Sequence, residues 1–189
     1  DPFLSLIPSK NEKRSVWDCC AGSGGKSILL YDKISRPVDL TVSDSRKNIL
    51  FNLQGRLKTA GVPVKHSVVA DLTQTSPLKG PFDLILCDVP CTGSGTWART
   101  PEQLHYFSAD AIEQFVFRQE QILQHVIPQL SPGGLLIYIT CSVFTAENEK
   151  LIDNFSQRYS MTLHRQEYLK GYHRKADTLF AAALSRKLS

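Results

Sequence analysis

Five cysteines stand in this 189-residue chain: Cys19, Cys20, Cys87, Cys91 and Cys141. Cys91 and Cys141 follow apolar runs that read as strands. A thiol just past a strand end can serve as a nucleophile where its surroundings favour the thiolate. The same ends carry carboxylates, because Asp18, Asp44, Asp71 and Asp88 each close an apolar run or lie one residue beyond it. One aspartate after a strand is ordinary turn chemistry. Four of them, together with Cys141, after five successive runs describe a polar rim. Five such ends in succession at one rim are better explained by a polar site than by chance. Spacing alone does not rank the two thiols.

A glycine-rich turn adds a binding function. Residues 18–27 read Asp-Cys-Cys-Ala-Gly-Ser-Gly-Gly-Lys-Ser. Gly22, Gly24 and Gly25 let the backbone approach a ligand and open a helix with free N-terminal amides. The Gly-Lys-Ser ending matches the close of a P-loop, but that motif needs glycine where Cys20 stands. The dinucleotide fingerprint fails as well, since its third glycine would be Ser27. Phosphate cradling is disfavoured and a nucleoside site remains. Asp44 lies 22 residues past Gly22, at a strand end where a carboxylate accepts both ribose hydroxyls. Taken alone, Asp44 reads equally as the N-cap of the next helix. Asp71 stands where it would meet an adenine amino group. A nucleoside cofactor without a phosphate motif points to S-adenosylmethionine.

The elements that must position these groups follow from hydrophobic period. Strands are expected over 15–18, 38–44, 64–70, 82–87, 135–140, 161–167 and 179–184. The first five are mostly continuous apolar runs, as in strands covered on both faces. Helices are expected over 26–34, 46–60, 109–129 and 147–158. The second ends at Gly61-Val62-Pro63 and the third at Pro132-Gly133-Gly134. Alternation of this kind gives βαβ units, a mostly parallel sheet and helices on both faces. Residues 168–176 are too short for a comfortable helical crossover, so the last two strands form an antiparallel pair. Ligands of such a sheet bind outside the carboxyl ends of its strands.

Two further stretches carry a family resemblance. One is Asp88-Val89-Pro90-Cys91-Thr92-Gly93-Ser94-Gly95, followed by Arg99-Thr100-Pro101-Glu102. The other is Thr140-Cys141-Ser142, followed by Glu147-Asn148-Glu149. With the Cys-x-Gly-x-Gly-Gly-Lys turn, they closely resemble the RNA cytosine-C5 methyltransferases of the NOL1/NOP2/Sun (RsmB-like) family, from Trp17 to about Arg186. The resemblance implies an α/β, Rossmann-like class I S-adenosylmethionine-dependent methyltransferase fold. Its mostly parallel seven-stranded sheet carries an antiparallel terminal strand pair. It implies Cys141 as the nucleophile that adds to carbon 6 of cytosine, and Cys91 as the thiol that assists release of the methylated RNA. Asp88 would hydrogen-bond the cytosine edge and protonate it, and Lys26 would lie against Asp88 and Cys141. Outside the family, Lys26 reads as a solvated first-turn lysine. Asp44 and Asp71 would take the ribose and adenine ends of the cofactor. The turn of Cys20, Ala21, Gly22, Ser23, Gly24 and Gly25, with Lys26, would hold the methionine part. The thiols of Cys19, Cys20 and Cys87 are expected to pack beside the sheet.

Departures from the family pattern are visible. Ser23 stands where proline is usual, and Ile49 where a basic residue follows the ribose carboxylate, with Arg46 a substitute. Thr178-Leu179-Phe180 weakly matches a C-terminal aromatic signature. The segment that normally precedes the first strand is not recognisable, so the abrupt start at Asp1 reads as a fragment without accessory RNA-binding parts.

Composition bounds the alternatives. Hydrophobic residues make up 42% and charged residues 21%, which excludes wholesale disorder. The length predicts one domain over residues 1–189. No apolar run approaches the ~20 residues that span a bilayer, and no secretory signal opens the chain. An odd count of thiols then argues for a reducing, cytoplasmic setting. No zinc spacing is present, so no metal is expected. The net charge of +4 permits a polyanionic partner without demanding one. The expected partner is ribosomal or transfer RNA, bound by a monomer. Most basic residues are scattered. Arg99 follows the Pro-Cys loop and would reach a phosphate near the target base, with Trp97, His105 and Tyr106 as stacking candidates. Trp97 reads equally as a core residue. The alternatives are an idle RNA-binding scaffold of the same fold, or a class I methyltransferase acting on another substrate.

Overall fold

The computed structural model describes residues 3–7, 13–34 and 37–187. Its strands are β1 (Arg14–Asp18), β2 (Val38–Asp44), β3 (His66–Val69), β4 (Phe82–Asp88), β5 (Leu130–Thr140), β6 (Met161–Leu169) and β7 (Leu179–Arg186). Its helices are α1 (Gly25–Lys33), α2 (Lys47–Thr59), α3 (Glu102–Tyr106), α4 (Asp110–Val126) and α5 (Glu149–Arg158). The strands form one sheet in the order β3-β2-β1-β4-β5-β7-β6. β1 pairs in parallel with both β2 and β4, so the strand order reverses there and opens a crevice at the carboxyl ends. β7 runs antiparallel to both β5 and β6.

The continuous apolar runs are explained by two cores, one on each face. Side chains alternate along a strand, and both directions meet packed helices. Val16, Leu84 and Leu86 pack on one face with Leu30 of α1 and Leu50, Leu53 and Leu57 of α2. Trp17, Ile85 and Cys87 pack on the other with Ile122, Leu123 and Val126 of α4 and Leu151, Ile152 and Phe155 of α5. Fully buried Trp17 keeps its indole N–H bonded to Ser43 Oγ at 2.9 Å, as a buried tryptophan requires.

Three expectations shift. The third strand is only four residues long and partly exposed, because it is an edge strand with β2 as its one neighbour. Pro132-Gly133-Gly134 does not end the long helix. α4 stops at Val126, a 3-10 turn follows over Ile127–Gln129, and strand pairing begins at Leu130 opposite Phe82. The proline and glycines form a bulge before Leu135 pairs with Leu84, and Gly133 supplies its left-handed φ of 70°. The last expected helix starts two residues late, at Glu149, because Glu147 and Asn148 are drawn fully inside. α3 was not anticipated from the sequence.

Candidate active site

The ends of β1 and β4 meet at the reversal point, the end of β5 lies next to β4, and each delivers a polar group. Asp18, last in β1, points inward: it is fully buried and accepts a 2.5 Å hydrogen bond from Ser27 Oγ of α1. Its other carboxylate oxygen is buried without a partner. Burial pushes its pKa up to about 7, against the opposing hydrogen bond from Ser27. Asp18 thus anchors the glycine turn from beneath and does not line the cleft above it.

Asp88, last in β4, receives Lys26 Nζ at 2.6 Å. Burial holds the Asp88 carboxyl above the usual range, although Lys26 opposes the shift. The expected contact between Lys26 and Asp88 is therefore present. Cys141 follows β5, and its Sγ lies 3.2 Å from Cys91 Sγ. The Cys141 backbone N–H also donates to Cys91 Sγ at 3.3 Å. The contact with the Cys91 thiol holds Cys141 below the ordinary thiol value; Lys26 assists, while burial and Asp88 oppose. The same contact, with burial, drives Cys91 far upward. Of the pair, Cys141 carries the thiolate character.

Beside this group lies a cleft of about 490 Å³, lined by Cys20, Gly22, Asp44, Asp71, Asp88 and Arg118 among others. That size suits a nucleoside-sized ligand. Gly22 adopts φ 51° at its mouth, a conformation that favours glycine. Asp44 is buried at the end of β2 and accepts from the Gly22 N–H at 2.9 Å. Arg46 clamps the same carboxylate through Nε at 2.9 Å and Nη2 at 3.1 Å. Burial alone would raise the Asp44 pKa, but the hydrogen bonds from Arg46 and Gly22 outweigh it and hold it low. Arg46 itself is largely exposed, whereas Asp44 is buried. Asp71 lies two residues past β3, with one oxygen tied to the Thr73 N–H and hydroxyl at 3.0 and 2.7 Å. Ala21, Ser23, Gly24, Gly25 and Lys26 do not line this cleft. Gly24 presses on α2, where a Cβ would come within 2.6 Å of Leu53. Gly25 and Lys26 face an apolar hollow on the other side of the turn. Cys19 and Cys87 are buried and Cys20 is half-buried, and both Cys19 and Cys20 line the cleft.

Arg99 is exposed and paired with Asp177 through two bonds, at 3.2 and 3.0 Å. Trp97 packs against Phe107 and Phe144, with centroids 5.0 and 6.1 Å away. His105 and Tyr106 are exposed on α3. Sequence reasoning missed Arg118, Ile122 and Thr73 as cleft residues. It also missed Gln119, whose full burial on an amphipathic helix is a polar interruption that a scan of the stripe could have flagged.

The sheet order and the cleft at its reversal point define the class I S-adenosylmethionine-dependent methyltransferase fold. A methyltransferase homolog from Pyrococcus horikoshii superposes with TM-score 0.80 and 25% identity, over 97% of this chain and 64% of that one. NSun6 from Pyrococcus horikoshii, solved with SFG, gives TM-score 0.84 over 99% of this chain and 51% of its own; its 22% identity speaks for the fold alone. The family model described as 16S rRNA methyltransferase RsmB/F matches residues 4–184, and the chain belongs to that family. Among curated relatives, ribosomal RNA small subunit methyltransferase B of Vibrio cholerae is 34% identical over 156 residues, 81% of this chain and 35% of that protein. The mouse 28S rRNA (cytosine-C(5))-methyltransferase is 27% identical over 156 residues, 80% of this chain and 19% of that protein. The chain spans about a third of the length of the bacterial relatives it matches.

Proposed function

We propose that this chain is the catalytic core of a cytosine-C5 methyltransferase acting on small-subunit ribosomal RNA in the cytoplasm, through a covalent adduct with Cys141. The observation that carries this reading is the Cys91–Cys141 pair at 3.2 Å, beside a carboxyl that burial keeps protonated to higher pH. The donor set of the cleft fits a nucleoside cofactor, with Asp44 for the ribose, Asp71 for the base and the Gly22 backbone between them. S-adenosylmethionine bound there supplies an electrophilic methyl group. The remaining steps belong to the chain.

Carbon 5 of cytosine is a weak nucleophile. Cys141 Sγ forms a bond to carbon 6, and the displaced electron pair makes carbon 5 enamine-like. Asp88 donates its proton toward ring nitrogen 3, which neutralises charge gathering on the ring. Lys26 orients Asp88. After methylation the carbon-5 proton is lost to water, the carbon 5–carbon 6 double bond re-forms, Cys141 leaves as thiolate with the Cys91 thiol assisting its release, and ring nitrogen 3 returns its proton to Asp88. A paired cytosine must first be extruded from its stack.

The test uses a small-subunit rRNA transcript containing 5-fluorocytidine, whose carbon 5 has no proton to lose. With cofactor, the wild-type protein is expected to form a covalent complex through Cys141, and Cys141→Ala none. On ordinary RNA, Cys91→Ala is expected to accumulate the adduct. Trapping by Cys141→Ala and not by Cys91→Ala would reverse the roles. Trapping on transfer RNA alone would move the substrate.

A further inference from the structure

Glu147 is fully buried, yet four donors converge on its carboxylate and none of them is charged. Oε1 accepts from the Thr92 N–H at 3.0 Å and from Gln119 Nε2 at 2.9 Å. Oε2 accepts from Thr92 Oγ1 at 2.6 Å and from Ser142 Oγ at 2.5 Å. Thr92 follows Cys91 and Ser142 follows Cys141, so one carboxylate grips the residue after each thiol. Gln119 extends the grip, because the same amide nitrogen donates to Pro90 O at 2.9 Å. The backbone of this segment is pinned too. Tyr138 OH donates to Glu147 O at 2.7 Å, and Asn148 Nδ2 donates to Ser142 O at 2.9 Å. A second tie between the turns runs through Ser94 Oγ, which accepts from the Val143 N–H at 2.9 Å.

A buried carboxylate without a cationic partner is costly to desolvate. Packing alone would be served as well by an apolar side chain. Four acceptor sites in one group are what two hydroxyls and two N–H donors on three different segments require. The alternative for those donors is burial without a partner.

We propose that Glu147 is a positioning residue: its carboxylate ties the turn carrying Cys91 to the turn carrying Cys141 and sets the separation at which the two sulfurs work. The inference rests on the covalent reading above, because the pair it holds is the reacting pair. Glu147 touches neither the cleft nor the thiols and acts through Thr92 and Ser142.

The test measures two things on each variant. The first is the rate at which phenylarsine oxide bridges Cys91 and Cys141, read by peptide mass spectrometry without RNA. The second is kcat and the KM for cofactor with the rRNA transcript. Glu147→Ala is expected to slow bridging and to lower kcat on the order of 10²-fold, as a misplacement of about 1 Å does, with the cofactor KM unchanged. Glu147→Gln keeps the length and two acceptor sites, and the Thr92 and Ser142 hydroxyls can turn to accept its amide. It is expected to restore most of both readouts. Should Glu147→Ala fail to fold, the Thr92→Val/Ser142→Ala double variant removes the hydroxyl bonds alone and is expected to slow both. Folded variants that bridge the thiols and turn over at wild-type rates would overturn the proposal. A wild-type protein that traps no RNA while the variants still slow bridging would sink the covalent reading and leave the positioning role standing.

Discussion

At the scale of the residue, two sulfurs 3.2 Å apart share one favourable site for negative charge. Two thiols in contact do not both ionise readily, and what surrounds each one separates two cysteines that look equivalent in sequence. Cys91 is driven up, and Cys141 is held down by Cys91 and then Lys26, with Asp88 opposing. The signs are testable in the pH profile of iodoacetamide labelling at Cys141. Cys91→Ala and Lys26→Met are each expected to move the midpoint to higher pH, and Asp88→Asn to lower pH. A common shift in one direction for all three would contradict the assignment. Arg46 makes a related point about charge. Arg46, two residues past Asp44, grips its carboxylate through two guanidinium contacts.

At the scale of the element, Gly95 joins three segments. Its N–H donates to Cys141 O at 2.8 Å, and its carbonyl accepts from the Thr178 N–H at 3.0 Å. A Cβ there would stand 2.1 Å from Thr178 O and 3.0 Å from Cys141 O, both backbone atoms. Gly95→Ala must therefore push the Pro-Cys loop away from β5 and β7. The expected cost is about 1–3 kcal/mol by urea denaturation, together with a fall in kcat. An unchanged unfolding midpoint would show that the loop gives without effort. Why elements were read well or badly is visible here. β2 was legible over 38–44 because Val38, Leu40 and Val42 alternate into one core while Asp39, Thr41 and Ser43 take the other face. The bulge at Ser131–Gly134 was not, because Pro-Gly-Gly punctuates a helix end and a strand bulge in the same letters. Glu147 and Asn148 read as the first turn of a helix, since nothing local tells that Thr92, Ser142 and Gln119 claim Glu147.

At the scale of the molecule, the buried carboxyl of Asp18 links folding to pH. Its native pKa of about 7 stands above the ordinary 3.8. Between those values the native state keeps a proton that the unfolded chain has released, so stability falls as pH rises. The stabilisation is complete below the unfolded value and is lost as pH passes through the native one. Wild-type Tm is expected to decline between about pH 4 and about pH 7. Asp18→Asn, which still accepts from Ser27, should decline less over that interval. Parallel curves for the two proteins would remove Asp18 as the source.

The order of apolar runs, glycines and strand-end acids by itself determined the βαβ alternation, the antiparallel end and the rim where chemistry would sit. Those are consequences of period and turn chemistry, which act over a few residues. Only the tertiary structure decided that Asp18 faces down while Asp88 faces Lys26, and that the sulfurs of Cys91 and Cys141 meet. It alone placed Glu147 between the two thiol turns. The Lys26–Asp88, Cys91–Cys141 and Thr92–Glu147 contacts join groups 50 to 62 positions apart in the chain. Hydrogen bonds and charge act through distance in space, and a linear pattern carries no measure of that distance.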